Sequence, residues 1–181
     1  MAVDSLGIFI ERIKPAWGPL TSEVVESCRR LLGDLVKAPA TDEWLTDLRR
    51  DPPEHRELYR DPTHGFLLLA HAEAEGRYRP PHDHGRGWVV YAVLQGEIDM
   101  GTYIRLPSQD GSVHLVKRDS TLIQAGQVKV FLPGDIHDTR CTKGPVLLVR
   151  FTDRDLIKEE KVERKLTRYI ERDGAWAVRA A

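Results

Sequence analysis

Cysteine is nearly missing from this chain. Cys28 and Cys141 are the only two in 181 residues, which is too few for a disulfide framework. Long apolar runs are missing too, since none approaches the roughly 18 residues that a membrane helix needs. The opening Met1-Ala2-Val3-Asp4 lacks the basic start and apolar stretch of a secretion signal. Neither sign of charge dominates: 27 Lys and Arg against 28 Asp and Glu leave −1, and no basic tail or stripe suggests nucleic acid. There is no internal repeat and no low-complexity segment. These absences make the cytoplasm the expected compartment and exclude membrane and nucleic acid as expected partners. What is present suits a core: 41% of the residues are hydrophobic, and the length fits one domain.

The first third reads as helices. Ser5 is placed to cap a run with Leu6, Phe9, Ile10 and Ile13 on its apolar side, stopped by Pro15. Ser22 would cap a second, whose face is Val24, Cys28, Leu31, Leu32 and Leu35 at three- and four-residue spacing. Thr41 would cap a third, with Trp44, Leu45 and Leu48 inward and Pro52-Pro53 at its end. A helix-turn-helix reader of DNA is the alternative for these helices. Their acidic first turns and lack of a basic face favour packing.

The middle reads as strands. They are Phe66 to Ala72, Trp88 to Gln95 ended by Gly96, Ile98 to Leu106, Val113 to Val116, Thr121 to Gln124, Gln127 to Leu132 and Val146 to Phe151. Pro107 to Gly111 is a turn cluster. Many short strands with regular turns indicate a sandwich or barrel. Beyond them, Asp155 to Lys165 has helix-forming composition, and Leu166 to Val178 suits a hairpin turning at Asp173-Gly174.

The chemistry gathers in Pro80-Pro81-His82-Asp83-His84-Gly85-Arg86-Gly87. In extended chain, residues i and i+2 share a face, so His82 and His84 would aim at one point. The prolines oppose a helix, and Gly85 and Gly87 allow a sharp bend. Neutral imidazole is a common ligand for Zn, Cu, Fe and Ni. A third histidine, His137, follows Leu132-Pro133-Gly134-Asp135-Ile136, just after a strand-like run.

Gly76, His82, His84 and Gly96 resemble the first motif of the cupin superfamily, and Gly126, Gly134 and His137 resemble the second. The resemblance covers about residues 63–152. It implies a mainly β chain: a cupin jelly-roll barrel, or double-stranded β-helix, with an N-terminal helical cap. Residues 1–62 would be the helical segment, 63–152 the barrel and 153–181 a C-terminal extension, all in one domain over 1–181. His82, His84 and His137 would be the metal ligands. Within the superfamily, the His-Asp-His triplet, the helix-rich leader and Tyr59-Arg60 are similar to the cysteine dioxygenase group, including its bacterial relatives acting on 3-mercaptopropionate. Most metal cupins carry a glutamate five residues after the second histidine. Here that residue is Val89, so the fourth protein ligand is missing, as in thiol dioxygenases.

Three neutral imidazoles leave a divalent ion its full charge and open positions, which favours an anionic second ligand. Fe(II) suits the set because substrate and O₂ can bind side by side, while Zn or Ni would take the same ligands. The implied activity is O₂-dependent dioxygenation of a small anionic substrate, by resemblance a thiol acid giving its sulfinate. Two other readings stand beside it. One is a three-His metal dioxygenase cleaving a C–C bond in a diketone-like substrate. The other is a non-enzymatic cupin that binds a small molecule or metal. The expected partners are the anionic substrate and O₂, with a homodimer as the candidate assembly.

By the same resemblance, Arg60 is the candidate clamp for a substrate carboxylate, which a guanidinium fork suits. Tyr91 is in phase with Val89 and would hydrogen-bond substrate or oxygen, the alternative being a core tyrosine. The family's Ser-x-His-x-Tyr triad is absent: aligned on Pro145, its positions are Leu148, Arg150 and Thr152. Arg150 stands on an otherwise apolar strand. Alternation puts it with Leu148 on one face, and Leu147, Val149 and Phe151 on the other. An inward guanidinium needs a partner. Asp135 or Asp138 could supply it, or an anionic substrate could. Cys141 reads as a buried small residue, with an auxiliary place beside the metal ligands as the alternative. His55, His64, His71 and His114 lie outside the motifs and read as surface or core residues.

Overall fold

The computed structural model of the chain describes residues 4–106 and 112–179. The turn cluster expected at Pro107 to Gly111 lies outside them. Three helices come first: α1 (Ser5–Ala16), α2 (Ser22–Leu35) and α3 (Glu43–Arg50). Their caps differ from the expected ones. A cap residue is extended, with its side chain accepting from the first turn. Asp4 does this for α1, taking the Gly7 N–H at 2.8 Å, and Thr21 does it for α2, taking the Val24 N–H at 3.3 Å. Asp42 precedes α3 but does not cap it. Its carboxylate instead accepts the backbone N–H of Ser5 at 2.9 Å and the Ser5 hydroxyl, tying α3 to the start of α1. Pro15 lies within the last turn of α1, where it lacks the N–H for one intrahelical bond, and the helix ends one residue later at Ala16.

Seven antiparallel strands follow: β1 (Arg56–Arg60), β2 (Leu67–Glu73), β3 (Tyr78–His82), β4 (Val89–Leu106), β5 (His114–Gln124), β6 (Val128–Phe131) and β7 (Ile136–Thr152). They run in the order β1-β2-β7-β4-β5, with β3 also on β7 and β6 also on β4. The chain is thus the expected mainly β jelly-roll barrel with helices at its N-terminal side. Three expectations change in detail. The strands on either side of Gly96 are one strand, because Gly96 at φ +81° bends the chain without ending it. A Cβ there would meet the Lys143 carbonyl oxygen at 2.6 Å, so only glycine suits the bend. The two segments at 113–116 and 121–124 also merge, into β5. Finally, β1 is a strand inside the segment assigned to helices, and β7 reaches back to include His137.

The sheet has two apolar faces. Val90, Ala92, Leu147, Val149 and Phe151 pack outward, under α1–α3, against Phe9, Ile13, Leu32 and Leu45. Val89, Tyr91, Val93, Val146 and Leu148 point into the barrel. Strand alternation alone produces this division. After the barrel come α4 (Leu156–Lys161) and a hairpin of β8 (Tyr169–Arg172) and β9 (Ala175–Val178). Its turn is Asp173-Gly174, both at positive φ, as expected for a two-residue turn of this type. No helix among the described residues is long and apolar enough to cross a membrane.

Candidate metal centre

His82 closes β3 and sits opposite His137, near the start of β7. His84 is not on the strand. It lies in the turn that follows, where its carbonyl accepts the Gly87 N–H at 3.0 Å and the Asp83 carboxylate accepts the Gly85 N–H at 2.9 Å. The turn, not strand alternation, brings the second imidazole to the first. One nitrogen from each of His82, His84 and His137 lies within 4.8 Å of the other two. All three residues are buried. The Phe131 ring stacks on His137, with centroids 3.9 Å apart and planes 18° apart.

The protonation pattern follows from these contacts. The Pro80 carbonyl can only accept, so His82 donates Nδ1–H to it, at 2.9 Å, and keeps its Nε2 lone pair free. Burial lowers the His82 pKa to about 4. Burial, the neighbouring histidines and Arg150 hold His84 and His137 well below the usual range. The three imidazoles are therefore neutral at pH 7. Nε2 of His84 faces Nε2 of His137 at 3.3 Å. Neither Nδ1 has a partner among the described residues, so either ring can carry its hydrogen on Nε2 and donate it to the other. No carboxylate belongs to the group, and Val89 is wholly buried in the apolar interior. Three convergent neutral nitrogens fit a divalent transition metal.

Two of these histidines, His82 and His84, line a cavity of about 310 Å³. Tyr91, Leu148 and Arg150 enter it from the sheet, and Leu156, Leu166 and Arg168 from the C-terminal extension. Arg150 pairs with Leu69 on one side and Tyr91 on the other. Among the described residues it has no ion pair, and its buried Nε has no hydrogen-bond partner. Neither expected aspartate reaches it. Asp138 accepts from the Gly101 N–H at 2.9 Å and from the hydroxyls of Tyr103 and Tyr78 at 2.6 and 3.1 Å. Asp135 accepts the Leu132 N–H at 2.7 Å. Arg60 corrects another expectation. It is exposed at the end of β1, paired with Glu57 at 2.7 Å and Asp155 at 3.0 Å, and does not line the cavity.

Sequence reasoning missed four residues here. Phe131 belonged to an expected strand but was given no place beside a ligand. His71 and His55 were read as surface or core residues, although both line the cavity, with ring centroids 4.9 Å apart. The alternation Leu67-Leu69-His71 was the available signal. Arg168 carried no signal, since only the fold-back of the extension places it opposite His82. Its guanidinium holds Glu160 with bonds of 2.5 and 2.9 Å. Cys141 is packing: it is buried beside Ile98, its thiol is 3.6 Å from the Glu73 carbonyl, and burial pushes its pKa up. His64 stacks on Phe66, and His114 is exposed on β5.

The extension also braces the loop that carries His84. Asp83 donates its N–H to the Thr167 carbonyl at 3.0 Å, and its carboxylate accepts the Thr167 N–H at 2.8 Å. The buried Glu159 carboxylate accepts both the backbone N–H and the guanidinium of Arg86 at 2.9–3.0 Å. Asp153 accepts the Trp88 N–H at 2.9 Å.

No protein-family profile and no curated protein matches the sequence. Solved cupin-fold structures do. KdgF from Halomonas sp. is 16% identical, with a TM-score of 0.44 over 58% of this chain and 85% of that one. Oxalate oxidase in complex with the substrate analogue glycolate is 23% identical, with a TM-score of 0.41 over 57% of this chain. The matched part is about half, 52%, of that protein's length. Hydroquinone 1,2-dioxygenase PnpCD, in complex with Cd²⁺ and 4-hydroxybenzonitrile, is 14% identical, with a TM-score of 0.45 over 60% of this chain and 69% of that one.

Proposed function

We propose that this chain is a mononuclear metal enzyme, an Fe(II)- and O₂-dependent dioxygenase acting on a small anionic substrate. The observation that carries the reading is a group of three convergent neutral imidazoles, two of which line a cavity shared with an arginine that has no anionic partner among the described residues. His82, His84 and His137 would hold the metal, which when bound supplies the redox chemistry toward O₂. The chain's own residues do the rest. Three neutral donors contribute no negative charge, so the site stays strongly cationic. Arg150 adds a second positive charge and a donor fork suited to a carboxylate. Leu148, Leu156 and Leu166 give the cavity apolar walls, so charge attraction there is screened less than in water. Tyr91, with its ring centroid 5.6 Å from that of His137, would orient the bound acid by hydrogen bonding.

A thiol acid is the substrate class that the sequence resemblance implies, with its carboxylate at Arg150 in place of Arg60. The test begins with metal analysis of the protein as purified. An oxygen electrode then compares thiol acids, cysteine and 3-mercaptopropionate among them, with diketones. Bound iron, O₂ uptake with a thiol acid and a sulfinate product are expected. Uptake with diketones alone would replace the substrate class. Tight binding without any turnover would make the chain a binding module.

A further inference from the structure

The cavity has a polar end that the metal centre does not use. His71 lies on β2 and Arg150 on the neighbouring β7. His71 pairs with Leu148 and Leu69 with Arg150, so the two side chains are diagonal neighbours on the inward face. The backbone carbonyl of Glu54 lies 3.2 Å from Nδ1 of His71. A carbonyl can only accept, so Nδ1 carries the hydrogen of the neutral ring and Nε2 presents a lone pair. Burial, then the charge of Arg150, lowers the His71 pKa to about 3, which keeps the ring neutral. His71 is 9% exposed, and its Nε2 has no donor among the described residues. Of the polar groups nearby, Glu73 is committed to Arg79 at 2.6 Å, and the His55 ring packs edge-on against His71 with centroids 4.9 Å apart. One wall of the cavity therefore holds a buried acceptor without a donor, beside a buried guanidinium Nε without an acceptor. Two such groups left unmade side by side are costly, and one ligand carrying a donor hydrogen and an anionic group would satisfy both.

We propose that His71 is a specificity-determining residue: its Nε2 accepts a hydrogen bond from a hydroxyl or amine on the substrate whose anionic group Arg150 holds. The preferred ligands are then short acids with a donor group near the carboxylate, ahead of the same acids without it. This rests on the assignment of Arg150 as the anion site. A site built to receive a donor discriminates strongly against a ligand that lacks one, because the acceptor is left buried and unpaired.

The test measures binding by calorimetry on the metal-loaded protein, with lactate and propionate as probes. Wild type is expected to bind lactate about tenfold tighter than propionate or better, the discrimination of roughly one buried hydrogen bond. Hydroxy acids also chelate metals, so the His71 variants decide. In His71→Phe, which keeps an aromatic ring and removes the acceptor, the ratio should fall to about one while propionate binding holds. His71→Gln, whose amide oxygen restores an acceptor, should recover part of the ratio. Arg150→Met should weaken both acids alike. Equal affinities in wild type, or a ratio that persists in His71→Phe, overturn the role of His71. Failure of wild type to bind either acid overturns instead the anion site on which it rests.

Discussion

The two faces of the barrel sheet are made by the same strands and do opposite work. Outward, Val90, Ala92, Leu147, Val149 and Phe151 meet α1–α3, and Trp17, Phe66, Trp88 and Phe151 form an aromatic cluster with ring centroids 5.0–6.0 Å apart. Inward, the same strands carry Tyr91, His71 and Arg150, which share a cavity with His82 and His84. Among the described residues, the buried side-chain nitrogens and oxygens without a partner belong to His71, His84, His137, Arg150 and Thr152. His84 and His137 are in the metal group, His71 and Arg150 line its cavity, and Thr152 shares the inward phase of Arg150. None is on the helix-facing side. Stability is concentrated on one face, and unsatisfied polar chemistry on the other.

The largest effect should come from the outer face. Phe151→Ala removes a fully buried ring from the aromatic cluster and should destabilise the protein by about 3–5 kcal/mol, as buried Phe→Ala changes do. Urea unfolding of the metal-free protein measures it. A loss near the surface value of about 0.5 kcal/mol would mean that the helical cap is not packed on the sheet.

The brace between the two regions gives the next effect. Hydrogen bonding to Arg86 lowers the Glu159 pKa despite burial, so the carboxylate is charged at neutral pH. Its contribution is in place above the usual glutamate range and is lost as pH falls through the lowered value. Glu159→Ala should free the Gly85–Gly87 turn and weaken metal binding about 10- to 100-fold, the usual cost of losing a group that orients a ligand. Competition with a chelator reads this out. Glu159→Gln keeps an acceptor for the Arg86 N–H and should lose less. Equal metal affinity in Glu159→Ala and wild type would show that His84 is held without the extension.

Val89→Glu sharpens the comparison on the inner face. It places an acidic residue at the position where most metal cupins carry their glutamate. Metal binding is expected to hold or tighten, and turnover of an anionic substrate to fall, because the added charge and the lost open position oppose the substrate. Unchanged turnover would place the substrate away from that side of the metal.

Much of this division was legible beforehand. Period-two alternation separated Leu148 and Arg150 from Leu147, Val149 and Phe151, and the spacing of His82, His84 and His137 marked them as a set. What was not legible depends on contacts remote in sequence. Thr41 looks like the cap of α3, but Asp42 holds that position and its carboxylate is claimed by Ser5. Arg60 looks like a clamp until Glu57 and Asp155 hold it outside. Gly96 reads as a strand end because a glycine that bends a strand and one that ends it leave the same mark in sequence.

The smallest effect, and the most diagnostic, is the stability of Arg150→Met. A structural arginine stabilises its fold through its partners, and removing it exposes them. Arg150 has no ion pair among the described residues, and its Nε makes no hydrogen bond. Its charge also disfavours protonation of His82, His84 and His137, so it is a like charge toward any cation those three hold. Methionine keeps much of the stem and removes both the unpaired donor and the charge. The metal-free variant should therefore be as stable as wild type or more stable by about 1 kcal/mol, the low end of the cost of a buried unsatisfied group. Metal content should hold, while KM for an acidic substrate rises at least about tenfold, the signature of lost substrate binding. Urea unfolding, metal analysis and steady-state kinetics on the one variant read all three. A loss of more than about 1 kcal/mol, with KM unchanged, would show that the guanidinium serves the fold and that the inner face is as settled as the outer.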